Sequence, residues 1–94
     1  MGAEPWEPGQ LDRYTNALEK AWDDFETAYY AAVKRVGLQS MAAQHAQNYM
    51  RRAIMLRDMA QGLLARPTRT EQTPDAIRKA VAELNAYKRG VNEL

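Results

Sequence analysis

From Gln10 to Val36 the apolar residues return every three or four positions without a break: Leu11, Tyr14, Leu18, Ala21, Trp22, Phe25, Ala28, Tyr29, Ala32 and Val36. That spacing holds one face of an α-helix through about 27 residues, or ~40 Å. The opposite face carries Asp12, Asn16, Glu19, Lys20, Asp23, Glu26, Lys34 and Arg35. Acid comes early and base in the last turn, as the helix dipole favours. A chain committed to one such helix must find other elements to cover its apolar face. Gly37 followed by Leu38 predicts a Schellman-type stop, with glycine in the left-handed conformation and the leucine folded back.

Ser40, the only serine, stands where an N-cap is needed, directly before a second run from Met41 to about Ala65. Its expected core face is Ala42, Ala46, Tyr49, Ala53, Leu56, Ala60 and Leu63, flanked by Met41, His45 and Met59 on one side and Met50 and Leu64 on the other. So wide an arc suits more than one neighbour. The short link from Gly37 to Ser40 forces the two helices antiparallel. Pro67 ends the second run, and 66–73, rich in Thr, Arg and Gln, reads as a loop. Thr73-Pro74-Asp75 then has the order N-cap, first-turn proline, first-turn acid. The third helix is expected over about 74–89, with Ile77, Ala80, Val81, Leu84 and Tyr87 inward, Gly90 as its stop and 91–94 as a frayed tail.

The β-branched residues never alternate over a useful length, so no strand is expected. The fold class is all-α: a long antiparallel helical hairpin (about 10–36 and 41–65) plus a shorter third helix, closed into a three-helix bundle. Residues 1–9, with Pro5, Pro8, Gly2 and Gly9, form an extended N-terminal arm anchored by Trp6. Ninety-four residues suit one helical domain over 1–94 and bury only about two-thirds of the unfolded chain's surface. A short third helix would leave part of the hairpin uncovered, so self-association, most simply as a homodimer, is expected.

Composition narrows the function classes. A hydrophobic share of 46% with 27% charged residues suits a folded chain. There is no cysteine, which excludes disulfides, thiol catalysis and zinc knuckles and fits a reducing compartment. Glu4, Pro5, Glu7 and Pro8 stand where a secretory signal would need base and then an apolar run, and no apolar stretch nears the ~20 residues of a membrane span. A soluble, cytoplasmic protein is the expectation, with no membrane partner. Ser40 and His45 point in different directions on one helix, so they make a poor nucleophile and base. Glu19, Asp23 and Glu26 lie opposite the core face, with no Glu-x-x-His pair to complete a bundle metal site. No phosphate loop or nucleophile elbow is present. No catalytic residue, metal ligand or cofactor is expected, and the chain reads as non-enzymatic.

Two binding classes remain. Tyr30, Ile54 and Met55 fall outside the core faces, and aromatic and methionine side chains are enriched at interfaces. With Trp6 they are the expected contact residues of a protein–protein interaction module: an adaptor, assembly component or small inhibitor, of a kind with bacterial or phage accessory proteins. The alternative is a nucleic-acid-binding module built on Arg51, Arg66 and Arg69, whose phosphate contacts would release counterions. Charge is split along the chain, net −3 over 1–36 and net +4 over 37–94, although the total is only +1. Arg51, Arg52 and Arg57 leave the second helix on three different sides, where a phosphate-tracking helix would gather them.

Overall fold

The computed structural model describes residues 3–94 and consists of three helices, each packed against the other two. Met1 and Gly2 of the expected arm lie outside the described residues. Helix α1 spans Gln10–Val36, α2 Met41–Leu64 and α3 Thr73–Asn92. The molecule is a rod of 49 × 20 × 16 Å, so helix length sets its shape.

Burial follows heptads. In α1 the buried apolar positions are Leu18, Ala21, Phe25, Ala28 and Ala32, and in α3 they include Ile77, Ala80, Leu84 and Val91. Alternating steps of three and four give the 3.5-residue repeat of helices that wind about one another. The large core side chains, Phe25, Ile77, Leu84 and Val91, come from α1 and α3 alone. Helix α2 contributes Ala43, Ala46, Ala53 and Ala60, all without exposed surface. Ala46, Ala53 and Ala60 stand seven apart in a single seam. Short side chains let α2 lie close against α1 and α3, while its larger Tyr49, Met50, Leu56 and Leu64 only lean over the core edge.

Local chemistry fixes the ends. Gly9 precedes α1 with φ 76°, a left-handed turn that glycine adopts freely, and Gln10 Oε1 accepts the Glu7 N–H at 3.1 Å. Ser40 caps α2 as expected: its hydroxyl accepts the Ala43 N–H at 3.0 Å and donates to the Gly37 carbonyl at 2.9 Å. Gly37 has φ 87° but ψ 144°, so the αL geometry of a Schellman stop is not formed, and Leu38 stays exposed. The hairpin is closed by the Ser40 contacts instead.

Three further expectations are corrected. The third helix begins at Thr73 and runs through Gly90 to Asn92, and Gly90 is there for another reason: Tyr49 occupies the space beside it, and a Cβ would stand 2.6 Å from the Tyr49 ring. The glycine serves close packing. Residues 91–94 are no frayed tail, since Val91 is wholly buried and Arg35 donates to the carbonyls of Val91 and Leu94 at 3.3 Å. A short β-ladder exists as well: β1 (Glu4–Pro5) pairs antiparallel with β2 (Thr68–Arg69), tying the arm to the α2–α3 connection. Two residues on each strand are too few to leave an alternating pattern in the sequence. Thr73 is the first residue of α3, and its hydroxyl accepts the Thr70 N–H at 3.0 Å inside the connection.

Candidate interaction surface

Placing alanines inward on α2 sends its bulk outward. Met41, Ile54, Met55 and Met59 are all exposed, Met55 to 73%. Met55 and Met59 lie one turn apart and, with Arg52, Leu56 and Tyr87 of α3, line a shallow, mainly apolar groove of ≈ 320 Å³ between α2 and α3. Tyr87 is held there by Tyr49, whose ring centroid is 5.6 Å away. Tyr49 continues the groove toward the hairpin end, where His45, Asn48 and Arg52 form a more polar notch. One strip along α2 thus grades from polar to apolar.

The expected contact residues divide over this surface. Tyr30 is 62% exposed and packs edge-on against Tyr29, with centroids 5.3 Å apart. Ile54 is 37% exposed, one residue and 100° around the helix from Met55, and does not line the Met55 groove. Tyr30 and Met55 therefore do not share a groove. Trp6 is half-buried against its own domain: its indole N–H donates to the Arg66 carbonyl at 3.0 Å and its ring meets Tyr14 at 6.4 Å. The sequence pattern alone places Met59 on the flank and Tyr87 on the face of the core; for Met59 the missed signal is the small Ala60 beside it, which takes the core position.

The arginines also part company. Arg69 is drawn into the arm, with only 11% of its side chain exposed, 3.5 Å from Glu4 and 3.4 Å from Glu7. The acids of the arm hold the cation that phosphate contact would require. Arg66 and Arg51 are exposed, but about 22 Å of helix separates them. Arg57 lies over Trp22 at 4.1 Å from the ring centroid, a cation–π contact on the α1 side. The Nε atoms of Arg57 and Arg69 are buried without a hydrogen-bond partner among the described residues.

No family model, curated protein or solved structure matches the chain. The site is therefore read from its own chemistry. Among the described residues no cluster of three or more His, Asp or Glu could hold a metal ion, and no helix is long and apolar enough to cross a membrane. Ser40 is engaged as a cap, and His45 lies exposed on the following turn. A second groove, between α1 and α3, is lined by Arg13, Tyr14, Ala17, Ile77, Arg78 and Val81. Its Arg78 is spent on Asp75 at 2.8 Å and the Tyr14 hydroxyl at 2.9 Å.

Proposed function

We propose that this chain is a non-enzymatic helical module that binds protein through the exposed strip of α2 and the adjoining Tyr87. The observation that carries the reading is the inversion on α2: alanines fill the core while Met55 and Met59 face water beside an aromatic ring. Burying a methionine contributes about 1.5–3 kcal/mol. Two methionines within one turn forgo that gain unless another surface covers them. Methionine also suits an interface in its own right, since its unbranched, polarisable side chain adapts to the partner's shape. An adaptor or assembly component needs such a surface and no catalytic group.

The nucleic-acid alternative has weaker support, because Arg69 is already neutralised by Glu4 and Glu7. The two are separated by immobilising the intact chain, challenging it with extract from cells that make it, and comparing Met55→Lys/Met59→Lys with Arg66→Ala/Arg69→Ala, which lie outside the strip, each with and without nuclease. The expected result is specific protein retention that survives nuclease and moderate salt, persists in the arginine variant and is lost in the methionine variant. Retention abolished by nuclease or by the arginine changes, and indifferent to the methionines, would overturn the reading.

A further inference from the structure

We infer that the occupant of the α2 strip is a second copy of this chain, its α2 running antiparallel to the first about a two-fold axis at Met55. This rests on the reading of that strip as an interface and adds the identity of the partner. Three adjacent lines of exposed residues run along α2, each with a seven-residue repeat: Met41, Asn48, Met55 and Gly62 in the middle, Gln44, Arg51 and Asp58 on one flank, His45, Arg52 and Met59 on the other. A seven-residue repeat keeps each line facing the same neighbouring helix along its length.

In an antiparallel pair centred on Met55, residues equally far before and after it stand level. Asn48 of one copy meets Gly62 of the other, where nothing lies within 4 Å of the missing side chain. A two-fold axis also sets like flank against like flank. Arg51 therefore lies beside Asp58 of the second copy, offset by one residue or ~1.5 Å, and symmetry makes the pair twice. On the other flank the stem of Arg52 crosses Met59. A parallel pair in register would instead set unlike flanks together, Arg51 beside Arg52 of the second copy and Asp58 beside Met59, so the charges select the antiparallel arrangement. Asp58 is available: among the described residues of its own chain it pairs only with Arg57, at 3.5 Å, and its side chain is 63% exposed.

Because the chain has no cysteine, single thiols report the geometry directly. Under mild oxidation Met55→Cys is expected to form the disulfide-linked dimer at least ten times faster than Tyr30→Cys. Met41→Cys, about 21 Å from the axis, should stay monomeric, whereas a parallel pair would crosslink it. Arg51→Asp and Asp58→Arg should each weaken self-association about ten-fold alone and recover it when the two variants are mixed, with circular dichroism confirming that each folds. Tyr30→Cys or Met41→Cys crosslinking as fast as Met55→Cys, or no recovery on mixing, overturns the inference. If self-association is absent while Met55→Lys/Met59→Lys still abolishes binding of another protein, the strip is an interface for a foreign partner, and this inference fails while the reading beneath it stands. Loss of both effects overturns both.

Discussion

Two glycines sit inside helices, and their surroundings are opposite. Gly90 faces the Tyr49 ring, where a Cβ would stand at 2.6 Å, whereas Gly62 has nothing within 4 Å. Alanine in place of glycine in a helix interior gains about 1 kcal/mol from propensity alone. Gly62→Ala is expected to stabilise by about that amount. Gly90→Ala must push Tyr49 off Tyr87, and overpacking of this kind costs about 1–3 kcal/mol, so its net effect is destabilising. Urea midpoints of dilute samples check the pair, and two shifts of the same sign would show that Tyr49 moves aside freely. Sequence alone assigned Gly90 to a helix stop because a glycine near the end of an apolar repeat usually is one. Only the tyrosine arriving from α2 shows its other use, and that contact joins residues 41 positions apart.

At the scale of elements, the hairpin was legible because its signals are local: an unbroken repeat, a serine cap and a link too short for any other topology. The same locality explains what was not. The β1–β2 ladder and the Arg69 ion pairs join the N-terminal arm to the α2–α3 connection, more than sixty positions away, through two or three residues each, leaving no periodicity to read. These contacts make the arm a separately removable piece. Arg69→Ala should cost about 1 kcal/mol, since its acid partners are largely exposed, and should raise amide exchange in 4–7 and 68–69 while leaving α1 and α3 protected. Uniform loss of protection would mean that the arm is integral to the core. The alanine seam of α2 makes the reverse prediction: Ala53→Leu wedges α2 away from Phe25 and its neighbours and lowers stability by about 1–3 kcal/mol, read from the thermal midpoint. On α1, the hydrogen bond from Lys20, 2.9 Å away, holds the Asp24 carboxyl below its ordinary range against desolvation, with the charges of Lys20 and Lys88 adding to it. Lys20 is raised in turn, by the same hydrogen bond and then by the charge of Asp24. A depressed carboxylate stabilises above its unfolded pKa and loses the effect as pH falls through the folded one. A raised lysine stabilises below its unfolded pKa and loses the effect as pH rises through the folded one. The pair therefore helps at neutral pH and fades in acid and in strong alkali. Lys20→Met should move the Asp24 titration by carbon NMR up toward the ordinary carboxylate range, and an unmoved midpoint would remove the coupling.

At the scale of the whole molecule, a rod with a radius of gyration of 15.2 Å is less compact than the ~12 Å typical of a globular chain this long. A third helix of about 16 residues would leave the hairpin partly uncovered; α3 has 20, extends to Asn92 with Val91 buried, and covers more of it. What stays uncovered is the flank of α2 that turns away from α1, marked by Met55 and Met59. Burial there depends on which of two neighbouring heptad lines the alanines occupy, a choice made by packing of all three helices together. A second copy of the chain covering that flank is the central claim, and sedimentation equilibrium over a wide concentration series tests it most directly. Wild-type chain should move from 10.7 kDa toward twice that mass, while Met55→Asp, equally helical by circular dichroism, should remain monomeric at every concentration. A wild-type chain that sediments as a monomer throughout, or a Met55→Asp variant that associates as well as wild type, would contradict it.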